Sequence, residues 1–308
     1  MVMLDDGSYF FERWKMGVSM RTTLSVLSRF LFVVIGIILL SAFVGMFTIN
    51  GIHLEWNVFI QNIMDIVMSL IFPDRLIILG PTQFEYSIFL NFWDYYLYSL
   101  TIFLSALFIS FVIGLFITYF TILLPKKLIH HISKIVSLLE SLPDLFIIMI
   151  IQFTVIYYLN VTGDLLFPVA GSSRTKTYFL PIIALSLIPA FMIYRINLHL
   201  VNEEWEKSYV ELARSKGHNK TFIFFNHVLR NITPSLFSHS KMIVLYLLSS
   251  MVIFEKILKI YLIFTFIITY PIPNVIAFTL IMFFVPVFVL YAIITNLIEK
   301  QTGKRLEW

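Results

Sequence analysis

The chain has 308 residues, 59% of them hydrophobic and only 13% charged, with a mean hydropathy of +0.89. A soluble domain carries roughly 25% charged residues, and no water-soluble fold of this length hides that much apolar surface, so the bilayer has to be the solvent. Cysteine is absent, which removes disulfide frameworks, cysteine-ligated zinc, iron–sulfur clusters and thiol nucleophiles. None of the seven histidines sits in a metal-binding spacing.

Charged residues mark the ends of the spans, because each costs roughly 2.5–3.5 kcal/mol at the centre of a membrane helix. After Arg29 the chain is uncharged as far as Leu54. That run is too long for the apolar region of a cleavable signal peptide and predicts a retained first helix. An acidic segment follows, with Glu55, Asp65, Asp74, Glu85 and Asp94 against Arg75. Its apolar stretches Val58–Ile63 and Ile66–Phe72 predict short helices packed at the outer membrane face. Further charge-free intervals run over Tyr95–Pro125, Leu145–Gly163 and Thr177–Tyr194. Asn231–Phe254 is interrupted by Lys241 alone. The last interval, Ile260–Ile298, is broken at Tyr270-Pro271-Ile272-Pro273, because prolines at that spacing disrupt a helix interior. Its spanning part is therefore about Asn274–Ile298. The fold class predicted is an all-α polytopic membrane protein with about six transmembrane helices.

Basic residues set the orientation. If the N-terminus is cytoplasmic, all of the 22 lysines and arginines except Arg75, Arg174, Lys176, Lys256 and Lys259 fall on the inner side. That bias predicts both termini inside. It also accounts for the net charge of +4 without a nucleic-acid partner. The many Phe, Tyr and Trp residues are most simply lipid-facing and packing groups.

Glu203 to Arg230 is the least membrane-like stretch. Glu203 and Lys207 stand at i,i+4 with the acid first, the favourable order. Glu203 to Lys216 contains good helix formers and no breaker. Gly217 fits the left-handed position that closes a helix, with Arg214 and Lys216 near the negative end of the dipole. Asn219 suits the cap of a second helix through Phe222, Phe225 and Leu229. Two short helices joined by a glycine make a rigid elbow, which serves either as an amphipathic connector or as a grip on another protein.

Glu211-Leu212-Ala213, Gly217 and His227-Val228-Leu229-Arg230-Asn231 resemble the EAA loop of ABC-importer permeases. Ala213-Arg214-Ser215-Lys216-Gly217 with the second block is similar to the oligopeptide/dipeptide/nickel branch of binding-protein-dependent importers. Fainter likenesses are Ser99-Leu100-Thr101 to Gly114, Ser141-Leu142-Pro143, Glu255 and Tyr270-Pro271. The chain departs from the family at Lys256-Ile257-Leu258-Lys259, where a Gly-x-Gly is expected, and at Gly303-Lys304-Arg305, in place of a closing DPR.

The resemblance implies a type I ABC-importer permease with a cytoplasmic coupling loop, working by alternating access. It implies a cytoplasmic N-terminus (1–23), a first transmembrane helix (24–49), an extracytoplasmic segment (50–94), a permease core (95–298) containing the coupling loop (203–234), and a cytoplasmic tail (299–308). The implied setting is a bacterial plasma membrane, and the implied cargo is peptides or similar small solutes. The implied partners are ATP-binding cassette subunits, a second permease subunit, an extracytoplasmic solute-binding protein and membrane lipid. No phosphate-cradling glycine-rich motif occurs in the chain, so ATP and Mg belong to the separate ATP-binding subunit and this chain binds no cofactor of its own. Glu211, Leu212, Ala213, Arg214, Lys216 and Gly217 would dock that subunit. Ala213 and Gly217 would permit close approach while the charged residues set register. The other readings are a nickel or metallophore importer, and a non-transport membrane protein that docks an ATPase.

Two charge features stand apart. Lys241 either lines the translocation pathway or snorkels to the inner interface. Glu140 and Asp144, spaced i,i+4, read as one helical face with an interfacial pair rather than as acid/base chemistry.

Overall fold

The computed structural model describes residues 26–48, 51–52, 56–73, 77–79, 85–164, 167–168 and 176–303. The expected N-terminal segment 1–23, the tail beyond Gly303 and parts of segment 50–94 lie outside these residues. Among the described residues, six helices are long and apolar enough to cross a membrane, because a hydrocarbon core of about 30 Å needs about 20 residues. The helical elements are α1 (Val26–Val44), α2 (Trp56–Ile71), α3 (Ile88–Leu123), α4 (Lys126–Glu140), α5 (Asp144–Thr162), α6 (Phe179–Trp205), α7 (Ser208–Ser215), α8 (Lys220–Ile223), α9 (Leu229–Ile257), α10 (Ile263–Thr269) and α11 (Pro273–Thr302). Two small antiparallel hairpins accompany them, β1 (Phe47–Thr48) with β2 (Gly51–Ile52) and β3 (Ile77–Leu79) with β4 (Glu85–Ser87).

The chain forms two compact units, residues 1–91 with 269–293 and residues 92–268 with 294–308. In the first, Ala42 of α1, Ile66 of α2 and Ala277 of α11 bury one another completely. Gly45 allows this approach, since a Cβ there would stand 2.3 Å from Pro273 Cγ and 2.7 Å from Asn62 Nδ2. The Asn62 amide donates to the carbonyl of Ala42 at 3.2 Å, tying α2 to the end of α1. The two apolar stretches expected as separate short helices form the single helix α2. Asp65 does not break it, because its side chain turns outward while Ile66 faces the contact.

In the second unit α6 and α9 form the centre. Gly114 of α3 lets α6 come close: a Cβ there would meet Ile193 Cγ2 at 2.6 Å and the Ala190 carbonyl at 2.9 Å. At one end of α6, Tyr98 donates to the Thr177 carbonyl at 2.5 Å and accepts from the Thr177 N–H at 3.1 Å. Glu140 and Asp144 are on different helices, because Ser141-Leu142-Pro143 separates α4 from α5 and Pro143 cannot continue a helix. Glu140 pairs with Arg195 at 2.9 Å. Asp144 accepts from the hydroxyls of Tyr246 and Ser250 on α9.

Several spans run past the charge-free intervals, the last through Glu299 and Lys300 to Thr302. The fourth extends past Arg195 to Trp205, and the fifth runs unbroken from Lys220 to Ile257. Near the end of the fifth, Glu255 is 1% exposed and accepts from the Phe264 N–H at 3.1 Å, the Thr265 N–H at 2.6 Å and Thr265 Oγ1 at 2.9 Å. The carboxylate thereby supplies partners for the first N–H groups of α10, which that helix cannot satisfy itself.

The missing Gly-x-Gly has a structural counterpart here. Lys259 takes φ +50°, and the Ile260 N–H donates to the Glu255 carbonyl at 3.1 Å, closing α9 as a glycine would. A side chain in that region is disfavoured by about 1–2 kcal/mol. We expect Lys259→Gly to stabilise the protein by about 1 kcal/mol, read as a raised unfolding midpoint in detergent; an unchanged or lower midpoint would contradict the turn.

Candidate functional site

The connection between the fourth and fifth spans begins where α6 ends at Trp205. The expected Glu203–Lys207 pair does not form, because the helix stops between the two residues. Glu203 instead lies 3.3 Å from His199, one turn back. Lys207 turns to Glu204, donating to Oε2 at 2.5 Å, while Tyr209 donates to Oε1 at 2.7 Å. Glu204 is 8% exposed, so these donors compensate a carboxylate largely removed from water. Burial, reinforced by the Glu204 carboxylate, pushes the Tyr209 hydroxyl up to about 12. Tyr209 therefore remains a donor throughout the physiological range.

Lys207 is extended, and α7 starts at Ser208. Val210 and Ala213, three apart and so on one helical face, are both buried. They join a cluster with Tyr194, Leu198 and Val201 of α6 and with Ile223, Phe224, Val228 and Ile232 of the next segment. Ala213 is thus turned into this chain's own core. Its small side chain serves the packing of α7 against α6 and α9. The opposite face carries Glu211, Leu212, Arg214 and Ser215, all exposed, with Leu212 57% exposed. Arg214 is also held, its guanidinium lying 5.3 Å from the centre of the Trp205 ring.

The turn after α7 is as the sequence predicts. Gly217 has φ +83°, its N–H donates to the Arg214 carbonyl at 2.9 Å, and the His218 N–H donates to the Ala213 carbonyl at 3.2 Å. These are the paired bonds of a Schellman closure. Nothing lies within 4 Å of the position a Cβ would take at Gly217. Glycine is therefore required by the backbone angle and not by crowding. Lys216 is exposed beside it. Asn219 then caps α8, its side chain accepting from the Phe222 N–H at 2.8 Å.

The second helix is not short. It passes through a π-helical turn, Phe224–Val228, into α9. The wider turn buries Phe224 and Val228 while Phe225 stays 51% exposed. Tyr119 of α3 contacts this region through its hydroxyl and Thr221 Oγ1 at 3.3 Å. Periodicity carried no sign of the π turn, and the Glu204–Lys207–Tyr209 group was also missed. Lys241 lies apart from the elbow, half-buried on α9 and about 24 Å from Ile257 at 1.5 Å per residue. Among the described residues, no three histidine or carboxylate side chains gather as metal ligands.

Spanning helices joined by a packed polar elbow define a multi-pass membrane protein. The family described as the binding-protein-dependent transport system inner membrane component matches residues 32–304. The chain belongs to this family and is a permease component of an ABC importer. Among solved structures it is similar to a chain of the MetNI methionine ABC transporter in inward-facing conformations. The two share 16% identity over 70% of this chain and 94% of that chain, with a TM-score of 0.48. No curated protein matches it.

The elbow's rigidity rests on its two local closures. We expect Gly217→Ala and Asn219→Ala each to cost about 1 kcal/mol locally. Amides of residues 208–223 should then exchange severalfold faster while those of α9 beyond Pro234 are unchanged. Equal exchange in parent and variants would contradict the closures.

Proposed function

We propose that this permease carries peptides or similar small solutes inward, and that residues 203–234 couple it to a separate ATP-binding subunit in which ATP and Mg reside. The observation that carries the reading is the division of α7 into two faces. Val210 and Ala213 fix it to α6 and α9, and Glu211, Leu212 and Arg214 remain exposed opposite them. A large apolar side chain displayed between charges on a braced helix suits insertion into a groove of a partner. Lys216 and the left-handed Gly217 shape the end of that surface.

A helix braced in this way moves with the spans that hold it. When two ATP-binding subunits close on ATP, the elbow transmits the motion to the fourth and fifth spans, which tilt between inward- and outward-open states. The working unit pairs this chain with a second permease subunit, and an extracytoplasmic binding protein delivers the solute. In this reading, which the distribution of basic residues supports, both termini and the elbow face the cytoplasm of a bacterial cell. Segment 50–94 then lies outside. Lys241, about 24 Å from the outer end of α9, reaches toward the inner boundary of a ~30 Å hydrocarbon core and snorkels to it.

Leu212→Glu changes an exposed residue and Gly217→Pro forbids the positive φ. Both variants should insert at the parental level but lose ATP-dependent uptake by more than about tenfold, equivalent to ~1.4 kcal/mol of lost coupling. Parental uptake in both, measured in vesicles with the cognate ATP-binding subunit, would overturn the assignment.

A further inference from the structure

The block His227-Val228-Leu229-Arg230-Asn231 lies within the proposed coupling segment but outside the exposed face of α7 named above. It lines a cavity of about 230 Å³ together with Asn226, Pro234 and Thr302, the last contributed by the end of α11. The volume is many times what one water needs. Its lining is rich in hydrogen-bond donors: a guanidinium, an imidazole, two carboxamides and a hydroxyl. No carboxylate among the described residues lines it.

Arg230 is held in place for such a role. One of its terminal nitrogens donates to the Gln301 carbonyl at 3.1 Å, which anchors the guanidinium across the C-terminal end of α11. The group has five N–H donors, of which this bond uses one. Asn226 is steadied by a bond from its amide to the Phe222 carbonyl at 3.2 Å. The Thr302 hydroxyl donates to the Ile298 carbonyl at 2.7 Å. Glu204, whose side chain also meets Asn231, is matched by Lys207 and Tyr209. The sequence adds Lys300, Lys304 and Arg305 close to Thr302.

Depth narrows the ligand. Arg230 stands about 40 Å along the fifth span from Ile257, and Thr302 about 44 Å along α11 from Pro273, at 1.5 Å per residue. A bilayer measures about 30 Å through its hydrocarbon and 40–45 Å with its headgroups. Both helices thus carry the cavity past the ~30 Å hydrocarbon, to the membrane–water interface opposite Ile257.

We propose that this cavity binds a phosphate group, with Arg230 as its main charged partner and His227 and Asn226 as added donors. The depth favours the phosphodiester of an anionic phospholipid as the source. Arginine suits such a ligand because its planar fork matches two phosphate oxygens at once.

The test uses the full-length chain, purified and stripped of lipid, with bound phosphatidylglycerol counted by native mass spectrometry. Separate arms offer inorganic phosphate and uncharged diacylglycerol. We expect retained phosphatidylglycerol to fall about fivefold in Arg230→Gln, the worth of one basic residue at a membrane surface. Arg230→Lys should recover part of the loss, and His227→Gln should weaken retention without altering the melting temperature. Binding of inorganic phosphate but not of phosphatidylglycerol would support the phosphate site and identify its source as soluble. Retention of diacylglycerol equal to phosphatidylglycerol, or phosphatidylglycerol unchanged in both Arg230→Gln and His227→Gln, would overturn the proposal.

Discussion

The coupling account depends on how Val210 and Ala213 are buried against α6 and the helix that becomes α9. A polar connector between two spans would otherwise be a loose loop, able to bind a partner but not to transmit a displacement. Burying one face of α7 in the cluster of Tyr194, Val201, Phe224 and Val228 makes the elbow part of the same packed body as the spans. Packed interiors transmit strain because they have few voids to absorb it. The exposed face is thus defined by what the buried face leaves over.

Electrostatic contacts reinforce that packing at each end of α7. Glu204, largely withdrawn from water, draws in Lys207 and Tyr209 and so fixes the turn that leaves α6. Arg214 lies against Trp205 and the Schellman turn at Gly217 closes the other end. The following helix then runs without a break from Lys220 to Ile257. A push applied at the elbow has a continuous path into the membrane. The π turn at Phe224–Val228 is the point where that path changes pitch.

Local chemistry was legible in the sequence, and tertiary choices were not. The six spans followed from the charge-free intervals, because the cost of a buried charge is set by the bilayer and not by the fold. Gly217 and Asn219 were readable since each acts on backbone groups within a few residues. The Glu203–Lys207 pair was misread because helix propensity does not register that the chain turns at Glu206 to bury Val210. Glu140 and Asp144 were placed on one face by spacing alone, whereas Pro143 divides them and each finds its own partner on α6 or α9. At Lys259 a positive φ closes α9 without the glycine that sequence reasoning would look for there.

The central claim is that the face of α7 opposite Val210 and Ala213 meets the ATP-binding subunit. The chain contains no cysteine, so a single Leu212→Cys substitution places one thiol on that face. Met242→Cys on the fifth span, 64% exposed, serves as the control. With a short thiol-directed crosslinker in native membranes, the account predicts capture of the ATP-binding subunit from position 212 and none from position 242. Capture from neither position, or equal capture from both, would contradict it.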